Sequence, residues 1–105
     1  MKKKIAILGW SFKANTNDSR ESAAIKVSEI LFNSGATLSI YDPKVQKKTI
    51  SNDIEALWET NNSALIKNRV EIVENLNDIN HVDALVILTE WKEFQFINNK
   101  ESVII

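Results

Sequence analysis

Five short runs of aliphatic and β-branched residues constrain this chain more than anything else in it: 4–8 (KIAIL), 37–41 (TLSIY), 69–73 (RVEIV), 84–88 (ALVIL) and 102–105 (SVII). They are close to continuously apolar, where a strand with one wet face would alternate. A strand reads this way when both its faces are covered, as in a parallel sheet packed between layers of helix. Helical patterns fall between most of the runs. The clearest spans Arg20–Ser34, with Ala23, Ala24, Val27, Ile30 and Leu31 at helical spacing as its core stripe. Asp18 followed by Glu21 resembles a capping box at its start, and Gly35 marks its end. A second helix is expected over Asp53–Lys67, a short turn over Leu76–Asn80 and a last helix over Trp91–Asn98. The polar stretch Lys44–Asn52 reads as a loop. Strand alternating with helix predicts one α/β domain over residues 1–105, a three-layer α/β/α Rossmann-like open parallel sheet of about five strands.

Composition narrows the function classes. A formal charge of −1 gives no electrostatic case for nucleic acid or an anionic membrane. The apolar residues after the opening MKKK are too few for a signal peptide or a membrane span, which leads to the expectation of a cytoplasmic protein. With no cysteine, the chain has no thiolate nucleophile or zinc-thiolate site of its own, and no metal site is expected. The one histidine, His81, lies in a polar connection and reads as solvated. Two features read as those of a piece of a larger protein. Ile25 and Phe32 fall outside the core stripe of the first helix, and the last apolar run has no closing helix behind it.

The chemistry concentrates in GWSFKANTNDSRES, Gly9–Ser22, which leaves the first strand and enters the first helix. A complete dinucleotide site would need G-x-G-x-x-G, and Ser11 and Phe12 stand where small residues should follow Gly9. Asp42 ends the second strand, where such folds keep a ribose-binding carboxylate, but Pro43 after it makes YDP equally a strand-ending turn. In an open parallel sheet, ligands sit beyond the carboxyl ends of the strands. The Gly9–Arg20 segment leaves at that edge, as do Thr89, Glu90 and Trp91. Lys13 and Arg20 suit phosphate, and Phe12 and Trp10 offer flat surfaces to a base or sugar. The same residues also read as solvated loop charges and a core plug, and the residues alone leave both readings open.

The run from KIAILGWSFKANTNDSRES through YDPKV, with DALVILTEWKEF farther on, resembles the UDP-glucose/GDP-mannose dehydrogenase family. The family pattern is roughly G-x-[AS]-F-K-x-x-T-x-D-x-R-E-S, then a helix, G-A and Y-D-P, and all of these elements are present. The TEW triplet is typical of the UDP-glucose branch. A GDP-mannose or UDP-N-acetyl-hexosamine branch is the alternative, and a non-catalytic interaction module using the Ile25/Phe32 face is a reading of another class.

The resemblance implies the C-terminal, UDP-binding domain of such an enzyme. It implies that Phe12 and Lys13 contact the UDP-sugar and that Arg20 reaches an NAD held mainly by another domain. Asp18, Glu21 and Ser22 match motif positions read as capping. Trp91 reads as packing, and Thr89 and Glu90 take no definite ligand contact. The parent activity it implies oxidises the C6 hydroxyl of UDP-glucose in two NAD-dependent steps through cysteine-bound intermediates, in a homo-oligomer. The chain alone is expected to be inactive, with the remainder of the dehydrogenase as its partner.

Overall fold

A central strand, β1 (Lys4–Leu8), is buried from Ile5 onward, as its unbroken apolar sequence requires. The computed structural model describes residues 3–11, 19, 22–79, 81–89, 91 and 103–104, the last two by backbone. Around β1 run α1 (Ala23–Asn33), β2 (Thr37–Tyr41), α2 (Lys47–Leu57), α3 (Ser63–Arg69), β3 (Val70–Ile72), a 3-10 turn (Leu76–Asp78), β4 (Ala84–Ile87) and β5 (Val103–Ile104). The strands form one parallel sheet in the order β3-β2-β1-β4-β5. The chain therefore builds outward from β1 on one side, then crosses back to build on the other. That reversal places the topological switch point between β1 and β4.

The period of two along β1 divides the core. Ile5 and Ile7 join one cluster with residues of α1 and α2, including Ala24, Phe32, Ile50 and Ile54. Ala6 and Leu8 point the other way and pack with Tyr41, Val82, Leu85 and Trp91. The expected α/β class and five-strand parallel sheet are what the chain forms. The helix expected over Trp91–Asn98 lies, beyond Trp91 itself, outside the described residues.

Helix α1 differs from its sequence reading in two ways. Its N-cap is Ser22, whose hydroxyl accepts from the Ala24 N–H, so the cap is a serine immediately before the first turn. Asp18 and Glu21 lie outside the described residues. The buried face is also rotated: Ile25 and Phe32 are 9% and 1% exposed, whereas Ile30 is 57% exposed. The expected stripe is that of a helix lying on a sheet alone. Here α2 ends beside α1, and Trp58 packs its ring 5.2 Å from Phe32 and donates its indole N–H to the Ile25 carbonyl at 2.9 Å. The interaction module built on an exposed Ile25/Phe32 face is thereby excluded.

The end of α1 follows its sequence signal. Gly35 adopts φ 102°, the Gly35 N–H donates to Phe32 and the Ala36 N–H to Leu31, which together close a Schellman motif. Arg69, from the end of α3, caps the same helix a second time. Its guanidinium donates to the carbonyls of Phe32 and Ala36 and lies 4.1 Å over the Phe32 ring.

Residues 47–52, expected in a loop, open α2 instead. Ile50 and Ile54 are both buried at helical spacing, with Trp58 at the C-cap. Lys47 and Lys48 stand in a first turn that favours acidic residues, and Gln46 makes no side-chain cap bond, so the usual start signals are missing. The single helix expected over Asp53–Lys67 is two helices. Trp58 takes extended dihedrals, and Asn62 caps α3 by accepting from the Leu65 N–H.

Arg69→Ala removes the second cap of α1 and the cation over Phe32. It is expected to lower unfolding free energy by about 1–3 kcal/mol in urea melts, and an unchanged midpoint would show that the Schellman turn suffices alone.

Candidate functional site

Three chain segments meet at the carboxyl ends of β1, β2 and β4. The first is Gly9–Ser11, the second Asp42–Val45, and the third Thr89 with Trp91. What joins them is one carboxylate. Asp42 Oδ2 accepts from the backbone N–H of Trp10 at 2.6 Å and of Ser11 at 3.0 Å, and from the Trp91 indole at 3.3 Å. Its Oδ1 accepts from the N–H groups of Lys44 at 2.8 Å and Val45 at 2.9 Å. The group is 7% exposed, so these donors replace the water it gives up.

This arrangement answers the two readings of Asp42. Both its oxygens are taken by the chain's own donors, so it offers no acceptor to a ribose. It is more than a turn residue, because it ties β2 to the segments leaving β1 and β4. The YDP signal was visible in the sequence; the long-range donors that give it this role were not.

The switch point itself is closed by contact. Gly9 has φ 99°, and a Cβ built on it would lie 2.5 Å from Thr89 Cβ and 2.6 Å from Thr89 N. Gly9 N–H donates to Tyr41 O at 2.8 Å, and Leu88 N–H to Leu8 O at 2.9 Å. Thr89 Oγ1 donates to Ser11 O at 2.8 Å. The N–H groups of Trp10 and Ser11 point at Asp42, so they are not available to cradle a pyrophosphate. The described residues do not fit a self-contained NAD site, in agreement with the missing glycine fingerprint.

Trp10 and Trp91 separate clearly from the ligand readings. Trp10 is fully buried, with its indole N–H donated to Asp53 at 2.9 Å, so it gives no face to a base or sugar. Trp91 is 8% exposed and bonded to Asp42, which bears out packing. His81 is exposed, as expected, with φ 55°. Ser19 donates its hydroxyl to Asp53 at 2.7 Å, and Ser22 Oγ lies 3.5 Å from Ser11 O. Phe12, Lys13, Arg20 and Glu90 lie outside the described residues. Ser11, Ser19, Thr89 and Trp91, the described residues bonded to Phe12, Arg20 and Glu90, are all buried, and Ser11, Thr89 and Trp91 belong to the Asp42 assembly.

Among the described residues no cluster of three histidine, cysteine or carboxylate side chains is placed to hold a metal. No helix of the described residues is long and apolar enough to cross a membrane.

Asp42→Asn presents an amide N–H₂ to at least one group of backbone donors. It is expected to cost about 2–4 kcal/mol in chemical denaturation, since buried donors are left unpaired. Gly9→Ala meets both a positive φ and the Thr89 contact, and a loss of about 3 kcal/mol is expected by the same measurement. A neutral result at either position would contradict the geometry described here.

The family model for the UDP-glucose/GDP-mannose dehydrogenase family, UDP binding domain, matches residues 6–104. The chain is 45% identical over 93 residues to a UDP-glucose 6-dehydrogenase of Drosophila melanogaster, covering 88% of this chain and 20% of that protein. It is 45% identical over 98 residues to the Caenorhabditis elegans UDP-glucose 6-dehydrogenase, covering 91% and 20%. Glycine max UDP-glucose 6-dehydrogenase 1 shares 35% identity over 105 residues, covering 91% and 22%. The chain thus spans about one fifth of the length of the curated relatives it matches. A solved UDP-glucose dehydrogenase from Pyrobaculum islandicum superposes with a TM-score of 0.69 at 24% identity, over 98% of this chain and 21% of that one, a likeness of fold. With a match running from within β1 to β5, the chain belongs to the UDP-glucose/GDP-mannose dehydrogenase family, of which it carries the UDP binding domain.

Proposed function

We propose that this chain serves as the nucleotide-sugar-holding part of an NAD-dependent UDP-glucose 6-dehydrogenase, binding the UDP portion of UDP-glucose at the carboxyl rim of its sheet. The observation that carries the reading is the match of residues 6–104 to the UDP binding domain, together with named relatives of one activity. The rim geometry supports it. The segment bearing Phe12 and Lys13 springs from Ser11, which Asp42 and Thr89 hold at the edge where open parallel sheets take their ligands.

In this reading Phe12 and Lys13 face the sugar nucleotide, the lysine as a point charge toward phosphate. Arg20 reaches an NAD bound chiefly by a separate domain, because the described rim has no pyrophosphate cradle of its own. The oxidation of the sugar C6 hydroxyl, and any covalent step on a thiolate, belong to residues outside these 105, which contain no cysteine. The chain's contribution is affinity and orientation. A ligand shared between two domains loses much of its buried contact when one is absent, so binding by this chain alone is weak.

Titrating UDP into the 105-residue chain and following its amide resonances tests the reading. Saturable shifts centred on residues near Ser11, Ser19 and Thr89 are expected, and silence up to millimolar UDP would defeat it. Lys13→Ala is expected to weaken UDP binding about tenfold with little change in thermal stability, the loss of one charge-assisted contact. A variant with unaltered affinity would remove Lys13 from the site.

A further inference from the structure

The break between α2 and α3 leaves a trough of about 820 Å³ against the outermost strand. Its floor is aliphatic: Ile54 of α2, Ile66 of α3, and Val70 and Ile72 of the edge strand β3. Ile54 is buried, but Ile66, Val70 and Ile72 are only half-buried, so the floor keeps apolar surface in contact with water. The walls are fixed without any occupant. Ile50 and Trp58 seat α2 in the core. Thr60 holds the link between the two helices, its N–H donating to Glu29 at 2.8 Å and its hydroxyl to Asn33 at 3.0 Å. Arg69 ties the end of α3 to the end of α1. A concavity of this size, already formed, is on the scale that takes a small organic ligand.

The lining decides the chemistry of that ligand. Lys47 and Lys67 stand against one carboxylate, Glu55, which leaves one positive charge in excess. Neither ammonium has an ion-pair partner among the described residues. No described aromatic ring lines the trough, so nothing there would stack on a nucleobase. Lys47 and Glu55 lie on one face of α2, eight residues or about 12 Å apart along its axis, which gives an extended chain of medium length room to lie. We infer that the trough binds a medium-chain fatty acid, with the hydrocarbon tail laid on Ile54, Ile66, Val70 and Ile72 and the carboxylate met by the lysines. The tail buries apolar surface that the fold leaves wet, and the single anion matches the excess charge. No lining residue belongs to the Asp42 assembly, so this site is separate from the proposed UDP rim and does not rest on it.

The test titrates sodium decanoate into the 105-residue chain, followed by its methyl and amide resonances, with unfolding midpoints measured in parallel. Saturable shifts are expected at Ile54, Ile66, Val70 and Ile72, while Gly9, Asp42 and Thr89 stay unmoved. Replacing both lysines, Lys47→Ala with Lys67→Ala, is expected to weaken decanoate binding about tenfold. Decanol keeps the tail and lacks the charge, and is expected to bind about tenfold more weakly than decanoate. Ser51→Trp, at an exposed position of α2 that lines the trough, fills it and is expected to abolish saturation while the midpoint moves little. Should that variant fail to fold, the lysine pair and decanol carry the test. Silence up to millimolar decanoate, decanol binding as tightly as decanoate, or binding unaltered by Ser51→Trp would each overturn the inference. Shifts of the same four residues on concentrating the chain without decanoate would overturn it too, and would assign the trough to a second copy of the chain.

Discussion

The Asp42 carboxylate is the contact on which the functional edge depends. A parallel sheet brings strand ends together but gives the connections leaving them no common partner. Here one buried anion collects backbone donors from the segments after β1 and β2 and an indole from the segment after β4. Hydrogen bonds to a charged acceptor are stronger than neutral ones, and burial removes the competing water. The same bonds that stabilise the edge also consume the N–H groups that a dinucleotide-binding turn would aim at phosphate. The fold thus keeps the outline of a dinucleotide-binding sheet while its first turn is committed to internal structure.

With that turn committed, the recognition proposed above falls to the residues just after it. Ser11 is the last described residue before Phe12 and Lys13, and it is fixed by Asp42 through its N–H and by Thr89 through its carbonyl. The other end is fixed at Ser19 and Ser22. The proposed function then follows the usual division in α/β proteins, where the scaffold positions and the loop selects.

Much of this was legible in the sequence, for identifiable reasons. The strands were readable because a doubly buried strand has to be close to continuously apolar, and Ile5–Leu8 and Leu38–Tyr41 are buried without a break, with Ser39 their one polar side chain. Gly35 was readable because a left-handed residue after a helix favours glycine. The start of α2 was hidden by Lys47 and Lys48, which read as loop, and only Ile50 and Ile54 betrayed it. The buried face of α1 is not legible locally, because Trp58 and Arg69, distant in sequence, both settle on Phe32. Trp10 was readable as aromatic but not as buried, since the core it joins and the carboxylate that takes its indole N–H, forty-three positions away, come together only in the fold. Local pattern determines elements; partners brought in by topology determine which side chains remain available to a ligand.

Gly9 has a further implication for how the edge tolerates change. The separation of β1 from β4 at this end is set by the absence of a single methyl group, since any Cβ would sit inside Thr89. Position 9 is therefore a wedge point: bulk introduced there pries apart the two innermost strands where Ser11 and Thr89 are bonded. The damage would register first as a loosened Thr89–Ser11 bond, and through Thr89 as a displaced Trp91.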